Sequence, residues 1–229
     1  MIELTYQPNN WPTNKEQHNG DGNLLVLDAS FNPPTQAHTA LIDATIQHFP
    51  PSTFESCLLL FTTNNVDKQL VGASASQRLD MMTLVAQRRN NEHQQTIPTA
   101  VGVTTHGRFI DKATALQSLW PRKTFYFIVG YDTVIRLLDP AYYPEKSVDE
   151  ALAPFFEHCK LVSVDRAGYG DMESFWASKS AHGIERVVLK DEKVAALSST
   201  LARSMDRGQL ETAVDADVAE YIRKHALYL

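Results

Sequence analysis

The chain is 229 residues long, 43% hydrophobic and 21% charged, with a formal net charge of −6. That is enough apolar material for one large domain with a full core, and the acidic balance argues against broad nucleic-acid binding or attraction to an anionic membrane, so any polyphosphate ligand must be met by a local cluster. No run reaches the roughly 18 consecutive apolar residues of a membrane span and the polar start lacks a signal-peptide core, so a soluble protein of the cytoplasm or nucleus is expected.

Residues 1–23 hold Pro8, Pro12, Gly20 and Gly22 among scattered Asn and Gln. They read as an N-terminal arm on the surface, or a partly ordered tail, ahead of a single domain over residues 24–229 whose last helices extend the core. Leu24 to Leu27 is a short buried strand, and Asp28-Ala29-Ser30 with Pro33-Pro34 forces a turn directly after it. Thr39 to His48 then carries Leu41, Ile42 and Ile46 at helical spacing until Pro50-Pro51 stops it, which puts His38 at the mouth of a helix. Cys57 to Thr62 is a second strand, followed by a polar stretch with Lys68. Ser74, with Gln77 three residues on, fits the N-cap of a helix running to about Arg89. Val101 to Thr104 is a third strand and Ile110 to Leu119 a helix.

Phe125 to Val129 is apolar throughout, as in a central strand covered on both faces, and Gly130-Tyr131-Asp132 ends it. A short helix over Thr133 to Leu138 gives way to a less regular segment with Tyr142, Tyr143 and Pro144. Lys160 to Val164 and Arg186 to Leu189 are the fifth and sixth strands. Ser199 fits the cap of a helix from Thr200 to Arg207 that ends at Gly208, and a last helix carries Val214, Val218, Tyr221 and Ile222 on one face. Strands alternating with helices imply an α/β fold, a Rossmann-like parallel sheet of about six strands flanked by helices. The two cysteines, Cys57 and Cys159, sit in apolar runs, as small buried residues of a reducing compartment do. The histidines other than His38 show no metal-ligand spacing, so no metal site is expected on the protein itself.

In such a sheet a ligand lies beyond the carboxyl ends of the strands, near the point where strand order reverses. Ser30 to His38, Thr62 to Lys68, Gly130 to Asp132, Arg166 to Gly168 and the turn before Ser198 all project to that edge. A helix N-terminus there offers free backbone N–H groups and the positive end of the helix dipole to an anion, and an imidazole adds a donor. The stretch from Leu24 to His38 therefore reads as a nucleotide-phosphate site.

These residues also carry a family likeness. SFNPPTQAH resembles the GSFNPxTxxH signature of the nicotinamide/nicotinate mononucleotide adenylyltransferases, in the form where threonine replaces the first histidine of H-x-G-H. LSSTLAR over Leu197 to Arg203 is similar to the family's I-S-S-T-x-x-R, and DVAEYIRKHALY to its closing helix. IVGYD resembles the G-x-D strand end, SVDRAG the strand ending in Arg-x-Gly, and Ser76 to Ala86 the helix after the lysine loop. The likeness spans about Leu24 to Leu229 and is nearest to a divergent, fungal-type branch within the wider nucleotidylyltransferase superfamily.

The resemblance implies transfer of AMP from ATP to a mononucleotide phosphate, with Mg²⁺ accompanying ATP, giving NAD or deamido-NAD and pyrophosphate. It assigns catalysis to His38 and Arg203. ATP and its phosphates would be met by Ser30, Phe31, Thr35, His38, Lys68, Gly130, Asp132, Ser199, Thr200 and Arg203. The mononucleotide would be met by Lys68, Tyr142, Tyr143 and Arg166. Where the family stacks tryptophans on the pyridine ring, Tyr143 stands at one position, and Thr105, His106 and Phe109 occupy the region of the other. The alternative reading is an ATP-hydrolysing or ATP-binding regulatory or quality-control relative that has lost the pyridine pocket. Homo-oligomerisation is left open.

From the residues alone, Ser199 and Thr200 would cap a helix even in an inert protein. By the same bland reading Arg78 supports the neighbouring loop and Asp28 caps a turn.

Overall fold

The computed structural model describes residues 1–12, 22–63, 72–92, 97–165, 172–178 and 183–228. Short apolar runs make the central strands of the sheet, because both of their faces are covered by helices. The strands are β1 (Ile2–Tyr6), β2 (Asn23–Ala29), β3 (Phe54–Thr62), β4 (Thr99–Thr104), β5 (Thr124–Gly130), β6 (Cys159–Asp165) and β7 (Ile184–Val188). They form one seven-stranded sheet in the order β1-β4-β3-β2-β5-β6-β7. Every pairing is parallel except β1 with β4.

The helices between them are α1 (Gln36–His48), α2 (Ala75–Glu92), α3 (Phe109–Leu119), α4 (Tyr131–Leu137), α5 (Val148–Phe156) and α6 (Met172–Trp176). After β7 come α7 (Glu192–Ala195), α8 (Ser199–Ser204), α9 (Arg207–Ala213) and α10 (Ala216–Lys224). Side chains of β2 alternate between two cores. Leu25 and Leu27 join Leu59, Phe61 and Ile128 under α1, α2 and α10, whereas Leu24 and Val26 join Leu58, Phe125 and Phe127 under α3 and α5. The chain leaves β2 toward β3 and β4 and then returns to β5 on the opposite side, so strand order reverses between β2 and β5. Their carboxyl ends open the crevice where such sheets bind ligands.

Three expectations need correction. Residues 1–12 do not lie outside the domain: β1 pairs along β4 with Ile2 opposite Thr104, Ile2 and Trp11 are buried, and Trp11 packs edge-on against Trp120 at 6.3 Å. The alternation Ile2, Leu4, Tyr6 is a strand pattern that the Pro- and Asn-rich residues after it obscured. This strand brings the sheet to seven rather than about six. The segment after Tyr143 is also more regular than expected, because Ser147 and Glu150 close a capping box and bury Leu152 and Phe155 of α5.

The third correction concerns α8. Ser198, not Ser199, is its N-cap, accepting from the Leu201 N–H at 3.0 Å. The helix stops at Ser204, Asp206 caps α9, and Gly208 lies inside α9 rather than closing a helix. By contrast Ser74 and Gln77 form the expected capping box at the start of α2. No helix among the described residues is long and apolar enough to cross a membrane.

Candidate active site

The site grows out of the turn between β2 and α1. Phe31 takes φ +44°, a left-handed conformation that reverses the chain directly after the strand, and the Asn32–Pro33 peptide is cis. The chain then enters α1 with Thr35 as N-cap. The Thr35 N–H donates to Nδ1 of His38 at 3.0 Å, and Thr35 Oγ1 stands 2.9 Å from the same nitrogen. A nitrogen that accepts a backbone N–H carries no proton of its own, so the neutral ring holds its proton on Nε2. The Phe31 ring lies 5.0 Å from the imidazole, and Phe31, Thr35 and His38 are all buried.

α8 is fastened onto this turn from the other end of the chain. Ser199 Oγ donates to the Pro33 carbonyl at 2.8 Å. Arg203 Nη1 donates to the Asn32 carbonyl at 2.6 Å and to the Ser199 carbonyl at 3.1 Å, with Nη2 3.4 Å from Thr200 Oγ1. The structure thus gathers Ser30, Phe31, Thr35, His38, Ser199, Thr200 and Arg203 around one turn. Because the guanidinium is held by backbone carbonyls, its positive charge is not neutralised by these contacts and stays available to an anion.

Beneath the turn, Arg78 is buried, its Nε donating to the Ala73 carbonyl at 2.9 Å and its Nη1 to the Ser30 carbonyl at 3.2 Å. Burial pulls its pKa below the usual arginine value; Tyr228 acts against that pull and Arg203 adds to it. Arg78 therefore supports the turn from below. Asn32 Oδ1 accepts from the Ala73 N–H at 3.2 Å and from the Tyr228 hydroxyl at 2.8 Å. Neither Asn32 nor Tyr228 is singled out by the sequence reading. Asn32 could have been found inside the SFNPP motif, but nothing local points to Tyr228.

At the end of β5, Gly130 caps α4, and a Cβ there would fall 2.7 Å from Asp132 Oδ1. Asp132 makes an exposed pair with Arg136 at 3.5 Å, which leaves its carboxylate accessible. Tyr142 is 61% exposed, whereas Tyr143 is half-buried and its hydroxyl donates to the Leu137 carbonyl at 2.8 Å. Burial raises the pKa of that phenol. Phe109 packs edge-on against Phe127 at 5.6 Å and Phe155 at 6.3 Å, so its ring belongs to the core. Lys68 and Arg166 lie outside the described residues.

Asp28 does more than cap a turn. It forms a buried ion pair with Lys112 of α3 and accepts from Thr62 Oγ1 at 3.1 Å, which ties the ends of β2 and β3 to α3. The thiols of Cys57 and Cys159 are pushed up to about 12 by burial and are held as inert SH groups.

The sequence pattern of the cytidylyltransferase-like family matches residues 26–205, and the chain belongs to that family. A Schizosaccharomyces pombe protein assigned as a nicotinamide mononucleotide adenylyltransferase is 34% identical over 147 residues, which is 64% of this chain and 54% of the relative. The chain thus matches about half the length of that relative. A Synechococcus sp. protein assigned as a nicotinate-nucleotide adenylyltransferase is 26% identical over 209 residues, 89% of this chain and 93% of its own. In fold, the chain is similar to the Plasmodium falciparum nicotinic acid mononucleotide adenylyltransferase in complex with NaAD, with a TM-score of 0.69 at 18% identity over 90% of this chain and 97% of that one. A second structure of the same enzyme, in complex with APC, gives a TM-score of 0.67 at the same coverage.

Proposed function

We propose that this protein is a nicotinamide or nicotinate mononucleotide adenylyltransferase, joining AMP from ATP to the mononucleotide phosphate to give NAD or deamido-NAD and pyrophosphate. The observation that carries the reading is the meeting of His38 and Arg203 on the Asn32–Thr35 turn at the carboxyl end of β2. The curated relatives support the same chemistry in their assigned activities.

In this reading the mononucleotide phosphate attacks the α-phosphorus of ATP, and pyrophosphate leaves with the electron pair of the broken bond. No enzyme nucleophile takes part, so the protein acts by alignment and by meeting charge on the phosphate oxygens. His38 donates from Nε2 to those oxygens as charge grows on them. Arg203 faces the β- and γ-phosphates, assisted by Ser199 and Thr200. Thr35 holds the imidazole, and Ser30 and Phe31 line the cleft. Gly130 lets the backbone come close to the nucleotide while Asp132 accepts from a ribose hydroxyl. Lys68, Arg166, Tyr142 and Tyr143 are assigned to the mononucleotide, Lys68 also reaching the ATP phosphates. Mg²⁺ carried by ATP would add charge screening at the phosphates, beside the donors of His38 and Arg203.

Incubating the protein with ATP, Mg²⁺ and each mononucleotide in parallel tests the reading. Equal amounts of dinucleotide and pyrophosphate are expected. ADP and phosphate with no dinucleotide would replace the reading with that of an ATP-hydrolysing relative.

A further inference from the structure

The segment after α10 folds back under the phosphate site. Ala226 and Tyr228 take φ +51° and +60°, and the Leu227 N–H donates to the Ile222 carbonyl at 3.0 Å, so the chain leaves the helix in a tight left-handed turn. That turn places Tyr228, which is partly buried, against Asn32 and Gly72. Its hydroxyl donates to Asn32 Oδ1 at 2.8 Å. Space for the ring exists because residue 72 has no side chain: a Cβ there would stand 3.1 Å from Tyr228 Cε1 and 2.9 Å from Asn32 Oδ1.

We propose that Tyr228 is a positioning residue of the phosphate site: its hydroxyl holds the Asn32 side chain, and through it the turn whose carbonyl receives Arg203 and whose far end orients His38. Asn32 is the hinge of this arrangement. Its side-chain oxygen is held by Tyr228 and Ala73, while its backbone carbonyl is held by Arg203. Burial raises the pKa of the phenol, against the opposing pull of Arg78, Arg203 and the Ala73 N–H, so the hydroxyl remains a donor to Asn32. Without it, the Asn32 side-chain oxygen loses one of these two donors, which loosens its hold directly ahead of Pro33. The groups that feel this are those meeting the ATP phosphates on this turn, since Tyr142 and Tyr143, assigned to the mononucleotide, follow α4 instead.

The proposal rests on the adenylyltransferase reading and predicts a split between the two substrates. Tyr228→Phe keeps the ring and its packing and removes only the hydroxyl. Losing one hydrogen bond of about 1 kcal/mol should raise KM for ATP roughly fivefold to tenfold while KM for the mononucleotide stays within about twofold. A purely structural role would lower the fraction of active protein, which scales kcat and leaves both KM values alone. In an Asn32→Ser background Tyr228→Phe should add less than about twofold, because the partner through which it acts is gone.

Unchanged KM for ATP in Tyr228→Phe, or an equal rise in both KM values, would overturn the proposal. If the wild-type chain forms no dinucleotide, the adenylyltransferase reading fails instead. The ATP dissociation constant, measured by calorimetry on the wild type and Tyr228→Phe, then decides the positioning role separately: a fivefold to tenfold weakening supports it and no change rejects it.

Discussion

The backbone N–H of Thr35 points at Nδ1 of His38 from 3.0 Å, so the residue that caps α1 also sets the tautomer of the proposed catalytic imidazole. The neutral ring must then carry its proton on Nε2. Nitrogen-15 NMR of the imidazole should show Nε2–H as the dominant neutral tautomer, and a dominant Nδ1–H form would break the proposed donor role.

Arg203 Nη1 donates to two backbone carbonyls while Nη2 reaches Thr200 Oγ1, so the two arms of the planar guanidinium hold different partners. Lysine supplies the charge but not the fork. Arg203→Lys should therefore lower kcat/KM for ATP by about 10²-fold, equivalent to about 2.7 kcal/mol of lost stabilisation. Steady-state kinetics with ATP varied checks this, and near-wild-type kinetics would mean that a point charge suffices.

The buried pair of Asp28 with Lys112 joins the ends of β2 and β3 to α3, just before the phosphate turn. Removing one partner leaves an uncompensated buried charge. Lys112→Met should cost about 3–5 kcal/mol. In a chain of this size that lowers Tm by roughly 10 °C. Exchanging both residues, as Asp28→Leu with Lys112→Met, should restore most of the loss, as read by thermal unfolding.

Gly72 takes φ +83°, and a Cβ there would meet Asn32 Oδ1 at 2.9 Å. Gly72→Ala combines an unfavourable backbone conformation with a push on the residue that anchors Arg203. A loss of about 1–2 kcal/mol of stability is expected in denaturant titration, with a larger proportional loss of turnover than other substitutions of equal stability cost produce.

Much of this architecture can be read directly from residue patterns. Leu24 to Leu27 and Phe125 to Val129 announce central strands because a wholly apolar run of that length has to be covered on both faces. The strand-turn-helix entry at SFNPPTQAH and the capping pair Ser74 and Gln77 are local chemistry, so their structural consequences follow from neighbours in sequence. Ser198 and Ser199 show where local chemistry stops: either hydroxyl can cap a helix, and the contact of Ser199 with the Pro33 carbonyl decides which one does. Asp28 with Lys112 and Asn32 with Tyr228 join residues far apart in the chain, and no spacing rule connects them. β1 was hidden for a different reason, since its five residues are fewer than the polar stretch that follows them.

In the proposed reaction the central role is that of His38, which acts on the transition state of adenylyl transfer rather than on the binding of ATP. Its most direct test compares His38→Ala with the wild type in two measurements on the same preparation, ATP affinity by calorimetry and kcat for dinucleotide formation. Loss of a preorganised donor to developing charge predicts a fall in kcat of about 10²–10³-fold with the ATP dissociation constant changed by only a few fold. Dinucleotide formation at the wild-type rate in His38→Ala would contradict that role.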